Sequence, residues 1–126
     1  MADLFLVDND ARLLELYTLF LERRGHKLRS ATSFEAARAQ IAEAPPDLLL
    51  SDLELGAERG DEELARLARS NELPPTLVVS GYLDRELAAR LSELPCVVGT
   101  LAKPFDLATL EARIAAALDR ARARVP

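Results

Sequence analysis

Asp47-Leu48-Leu49-Leu50-Ser51-Asp52 is the stretch on which the fold turns. Three leucines in a row carry no polar alternation, so a strand made of them is covered on both faces. That is the mark of a parallel sheet held between two layers of helices. Pro45-Pro46 stop any helix arriving from the N-terminal side, and the run closes on a carboxylate. Four other runs of strand length flank it. Leu4-Phe5-Leu6-Val7 ends at Asp8, and a weaker run covers Lys27–Ala31. Thr76-Leu77-Val78-Val79-Ser80 follows Pro74-Pro75 and ends at Gly81. Residues 96–102 begin at Cys96 and lead into Lys103-Pro104-Phe105.

Helical patterns separate the strands. Leu13, Leu16, Tyr17, Phe20 and Leu21 fall at i, i+3, i+4, i+7 and i+8. Asn9 or Asp10 can cap that helix and Gly25 can end it. Thr32-Ser33-Phe34-Glu35 has the form of a capping box and opens a short Ala-rich helix to about Glu43. Residues 54–60 read as a polar, Gly-containing loop before a helix over about 62–70. Asp84 can cap a fourth helix to about Leu94, and Leu107, Leu110, Ile114 and Leu118 mark a last one. Five βα units in succession predict a parallel sheet with helices on both faces. Ligands of such a sheet bind beyond the carboxyl ends of its strands.

Composition sets the limits. The chain has 126 residues, 49% apolar, with 16 basic and 21 acidic side chains and a net charge of −5. That is one domain with a core of its own. A single cysteine, Cys96, rules out an internal disulfide. The longest apolar runs are too short to span a bilayer, and the first residues, MADLFLVDND, lack the basic start of a signal peptide. A cytoplasmic protein without a membrane segment is expected. The acidic balance argues against nonspecific nucleic-acid binding.

The strand ends carry the chemistry. Asp8-Asn9-Asp10, Ser51-Asp52, Ser80-Gly81 and Lys103-Pro104 end four strands, and a parallel sheet gathers them on one rim. A carboxylate there can attack phosphorus and form an acyl phosphate. The transfer needs cations on the nonbridging oxygens; a lysine supplies one, and Mg²⁺ held by carboxylates another. The chain holds 14 arginines and only two lysines, Lys27 and Lys103, and one of the two stands at a strand end.

In LVDND, PDLLLSDLEL, VVSGY and LAKPF, taken in this order over about residues 3–119, the sequence resembles the receiver domain of two-component response regulators, the CheY-like family. The resemblance implies a flavodoxin-like, doubly wound (βα)5 fold with a five-stranded parallel sheet in the order 2-1-3-4-5. It implies one receiver domain over 1–126, with a core of about 3–119 and a basic tail at 120–126. Asp52 would be the phosphoacceptor, Ser80 the switch hydroxyl and Lys103 the lysine that pairs with the phosphoryl group. Asp8, Asn9, Asp52 and the backbone carbonyl of Glu54 would hold Mg²⁺. The Lys103–Pro104 peptide bond is expected cis.

The implied function is that of a response regulator receiver. A sensor histidine kinase or phosphotransfer protein would donate the phosphoryl group, and a target protein would read the face of helix 4, strand 5 and helix 5. Direct nucleic-acid binding is not expected, and a homodimer is compatible with the fold. Chemistry beyond Mg²⁺-dependent self-phosphorylation from donors and autodephosphorylation is not expected.

Three departures bear on this. Asn9 stands where the family usually has a second aspartate. Asp8, Asp52 and Lys103 then leave one net negative charge instead of two, which predicts Mg²⁺ binding weaker by roughly 10–100-fold. The side chain of Glu54, or Asp10, could restore the charge. Thr100 replaces the usual aromatic ring three residues before the lysine, so ring burial cannot report the switch. Gly56 replaces a frequent proline in a loop about one residue longer, which loosens it. Asn9 and Thr100 also admit an alternative: a degenerate receiver that acts as a phosphorylation-independent protein-interaction module. A flavodoxin shares the topology, but Asp8-Asn9-Asp10 would repel the phosphate of a flavin.

The remaining candidates read as structural. His26 is a lone histidine opening a weak strand, and Cys96 a small buried hydrophobe. Gly56, Gly60 and Gly81 make no phosphate-binding loop. Arg120, Arg122 and Arg124 complement the dipole of the last helix, or lead into a linker beyond Pro126.

Overall fold

The computed structural model describes residues 2–55, 58–82 and 84–123. Its elements run β1 (Asp3–Val7), α1 (Ala11–Arg23), β2 (Lys27–Ala31), α2 (Phe34–Glu43), β3 (Leu48–Asp52), β4 (Glu54–Leu55), β5 (Glu58–Arg59), α3 (Gly60–Arg69), β6 (Thr76–Ser80), α4 (Arg85–Ser92), β7 (Val97–Ala102) and α5 (Leu107–Ala123). The main sheet has five parallel strands in the order β2-β1-β3-β6-β7. With the two-residue strands β4 and β5 set aside, this is the expected 2-1-3-4-5.

Side-chain alternation along the strands splits the core into two layers. Leu4, Leu6, Leu48, Leu50, Leu77 and Val79 point to the face covered by α1 and α5, where Leu14, Leu21, Leu110 and Ile114 meet them. Phe5, Val7, Leu49 and Val78 point to the other face, against Phe34 and Ile41 of α2, Leu64 and Leu67 of α3 and Leu91 of α4. All five residues of β3 are buried, as the unbroken leucine run requires.

Several local readings shift. The buried face of α1 is Leu14 and Leu21, with Tyr17 and Phe20 packed beside them. Leu16 is 48% exposed; seven leucines and aromatics among residues 13–21 let the period be drawn one position off. Asp10, and not Asn9, caps α1: its carboxylate accepts from the amides of Arg12 and Leu13. Gly25 ends the turn after the helix with φ of 94°, a conformation that favours glycine. Ser33 caps α2 by accepting from Ala36 N, one residue later than a capping box on Thr32 would place it.

The polar loop after β3 is structured. Strands β4 and β5 pair antiparallel, Glu54 with Arg59 and Leu55 with Glu58, and α3 starts at Gly60 directly after them. Cys96 is only half-buried, at the rim of the second core layer. Helix α5 continues to Ala123, so Arg120 and Arg122 are helical, and Arg120 donates to the carbonyl of Val98 at 3.1 Å. The readings made on Gly56 and Arg124 lie outside the described residues. His26 is structural as expected: its Nδ1 accepts from Ala2 N at 3.2 Å.

Candidate functional site

Register builds the site. Val7 pairs with Ser51, which sets Asp8 level with Asp52, and Asp52 pairs with Val79, which sets Ser80 one step further out. Ser80 in turn pairs with Ala102, and Lys103 follows. Lys103 N also donates to Ser80 O at 2.8 Å, and the Lys103–Pro104 bond is cis. Four strand ends therefore meet on one rim.

The side chains converge as the register requires. Lys103 Nζ donates to Asp8 Oδ2 and to Asp52 Oδ2, both at 2.9 Å. The acids are almost wholly enclosed, Asp8 at 5% and Asp52 at 3% exposure. Their remaining oxygens are held by backbone: Asp10 N donates to Asp8 Oδ1 at 2.9 Å and Glu54 N to Asp52 Oδ1 at 3.0 Å. Buried charges of this kind are tolerated only when paired and hydrogen-bonded. Asp8 and Asp52 also border a cavity of about 20 Å³ whose far wall is apolar, with Tyr17 and Phe105 stacked at 5.8 Å between ring centres.

One participant was only half read from the sequence. The side chain of Glu54 turns into the site, and Ser80 Oγ donates to its Oε1 at 2.7 Å. Ser80 Oγ also accepts from Tyr82 N at 3.0 Å. Of the two residues that could make good the charge missing at Asn9, Glu54 is therefore the one beside the site. Asp10 is engaged in capping α1, and Asn9 is exposed. No local periodicity points Glu54 inward. Its direction comes from the β4–β5 pairing. Thr100 is half-buried on β7, with its carbonyl accepting from Arg113 at 2.9 Å.

Electrostatics follow from this crowding. Burial, helped by the Glu54 carboxylate beside it and by the like charge of Asp8, pushes the Asp52 carboxyl up to about 7, against the pull of Glu54 N and Lys103. Burial pulls the Lys103 ammonium down, but its bonds to Asp8 and Asp52 outweigh that and raise it. Burial alone would raise Glu54; the neighbouring Asp52 and Ser80 lower it instead. The site carries three acids and one fixed cation, so it attracts further positive charge. Its donors are carboxylate oxygens, the hard ligands that suit Mg²⁺. Among the described residues no three His, Cys, Asp or Glu side chains form a ready metal cluster; here the lysine does the neutralising.

A doubly wound sheet with paired acids, a hydroxyl and a lysine on its carboxyl rim defines a class, and comparison with known proteins agrees. The model of the response regulator receiver domain matches residues 4–115, and the chain belongs to that family, the receiver domains of two-component systems. It is similar to the transcriptional regulatory protein AfsQ1 of Streptomyces coelicolor, 32% identical over 127 residues, covering 95% of this chain and 52% of that one. It is also similar to the response regulator GtcR of Aneurinibacillus migulanus, 29% identical over 121 residues, covering 94% and 48%. The chain spans about half the length of these relatives. Among solved structures, a CheY-like receiver domain protein of Methanospirillum hungatei matches with a TM-score of 0.86 at 22% identity over 97% of each chain, a likeness of fold. The domain is a signalling domain and not a classical enzyme.

Proposed function

We propose that Asp52 accepts a phosphoryl group from the phosphohistidine of a sensor kinase or phosphotransfer protein, in the cytoplasm. A carboxylate oxygen of Asp52 bonds to phosphorus, the phosphorus–nitrogen bond of the donor breaks, and the leaving imidazole takes a proton from solvent. The observation that carries this reading is the Lys103 ammonium lying 2.9 Å from both Asp52 and Asp8. There it can follow charge from the carboxylate onto the phosphoryl oxygens. Asp8, Asp52, the amide oxygen of Asn9 and the backbone carbonyl of Glu54 would hold Mg²⁺, whose charge neutralises those oxygens when it is bound. Ser80, at the end of the neighbouring strand, would hydrogen-bond the transferred group.

Phosphorylation then biases the face of α4, β7 and α5 toward a target protein. The relative named as a transcriptional regulatory protein is about twice as long as this chain. Contact of this domain itself with nucleic acid is not part of the reading, given its net charge of −5. No helix of the described residues is long and apolar enough to cross a membrane. The four-residue set of Asp8, Asp52, Ser80 and Lys103 disfavours the alternative of an interaction module that is never phosphorylated.

The test is intact mass after incubation with acetyl phosphate and Mg²⁺, beside Asp52→Asn. A phosphoryl adduct on the parent only is expected. A folded parent that takes no adduct in excess donor removes the reading.

A further inference from the structure

The hydroxyl of Ser80 has one proton to donate. In this structure it goes to Glu54 Oε1, at 2.7 Å. Ser80 is 1% exposed, so the proton needs a protein acceptor, and a carboxylate is a strong one. The same oxygen of Ser80 accepts from Tyr82 N, at 3.0 Å, in the turn that follows β6. Glu54 is held in place from three sides. Its amide is fixed on Asp52 Oδ1, its strand β4 is paired to β5, and Gly60 N closes the hairpin on Leu53 O at 3.2 Å.

We propose that Glu54 is the latch of the switch: its carboxylate holds the Ser80 hydroxyl proton at rest and must yield it before Ser80 can bond a phosphoryl oxygen on Asp52. This rests on the reading of Asp52 as the acceptor. The step changes hydrogen bonds only. The bond from Ser80 Oγ–H to Glu54 breaks and one to the phosphoryl oxygen forms. As Oγ turns away, Tyr82 N–H loses its acceptor, and the Gly81–Tyr82 turn is released. The phosphoryl group itself drives the exchange, because it brings two negative charges beside the Glu54 carboxylate. Glu54 is thus a positioning residue that acts through Ser80. It couples the loop after the acceptor to the loop after β6, a link that ring movement at Thr100 cannot provide.

The latch is tested on the whole chain by comparing Glu54→Gln, which keeps an acceptor oxygen, with Glu54→Leu, which has none. Glu54 is exposed, so neither change opens the core. The readout is the backbone amide resonance of Tyr82, with Ser80→Ala marking its position when the acceptor is gone. In protein without donor, Glu54→Leu is expected to move the Tyr82 amide most of the way to the Ser80→Ala position, and Glu54→Gln to leave it near the parent. Loss of a charge-assisted bond corresponds to a shift of about tenfold in the latched-to-free ratio. Parent treated with acetyl phosphate and Mg²⁺ should move in the same direction. A Glu54→Leu amide at the parent position, or equal shifts in Glu54→Leu and Glu54→Gln, overturns the latch. Intact mass of the treated parent separates the two claims: a parent without an adduct refutes Asp52 as acceptor, while the donor-free comparison still decides whether Glu54 holds Ser80.

Discussion

At the scale of single residues, similar side chains serve different ends according to what their neighbours take from them. Asp8 and Asp10 stand two apart, yet Asp8 faces Lys103 and Asp10 caps a helix. Asp10→Ala should therefore cost about 1 kcal/mol of stability in urea and leave Mg²⁺ affinity within about twofold. Asn9→Asp should tighten Mg²⁺ roughly tenfold or more by calorimetric titration. Equal Mg²⁺ binding by Asn9→Asp and parent would mean that Glu54 already makes good the charge. His26 offers a pH test. Burial holds its imidazole below the ordinary value of 6.5, with Glu111 opposing, and its Nδ1 must be unprotonated to accept from Ala2 N. The neutral form belongs to the fold, so its contribution is present above pH 6.5 and is lost as pH falls through the lowered value. The melting-temperature gap between the parent and His26→Gln should be widest near pH 7.5 and shrink toward pH 5; a constant gap would show that protonation is not involved.

Among the elements, those with a strong local pattern match their readings, and the rest needed tertiary information. Strand β6 falls on the residues expected, and β3 and β7 begin one residue late, because apolar runs bounded by prolines leave little choice; β2 also falls where expected, though its own pattern is weak. The stretch after Asp52 gave no such signal. It has no period, and the β4–β5 hairpin returns to a Gly60 that lies tight against the end of β3, its amide donating to Leu53 O. A Cβ on Gly60 would stand 2.6 Å from Leu53 Cα and 2.8 Å from Leu53 O, closer than any real contact and against backbone that cannot swing away. Gly60→Ala should then cost about 1–3 kcal/mol in denaturant unfolding and, by displacing Leu53 beside Asp52, slow adduct formation from acetyl phosphate. Full stability with unchanged adduct formation would show that the hairpin relaxes freely. The rim acids, the hydroxyl and the lysine were legible because strand ends in a parallel sheet share one rim. The inward turn of Glu54 was not, because it depends on this hairpin.

For the whole molecule, a five-stranded sheet leaves two open edges, and an open edge invites pairing with another chain. The edge at β2 carries Lys27 and Arg29, with Arg29 paired to Asp3 at 3.2 Å. The edge at β7 is guarded differently. Carbonyls of Val98 and Thr100 accept from Arg120 and Arg113 at 3.1 and 2.9 Å. The carbonyls are two residues apart, about 7 Å along the strand, and the arginines seven apart, about 10 Å along α5, a mismatch that long side chains absorb. These arginines also line the groove between α4 and α5, so the guard sits on the face expected to meet a target. Replacing both by alanine frees two acceptors on a strand whose outer side meets no partner strand among the described residues. Arg113→Ala with Arg120→Ala should sediment as a larger species than the parent as concentration rises to about 100 μM, while Asp52 still takes its adduct, since neither arginine touches the rim. Replacing both by lysine, which retains an N–H donor, should restore the parent behaviour. If the alanine pair sediments as the parent does at every concentration, helix packing alone protects the edge, and the arginines are left as groups for the target to bind.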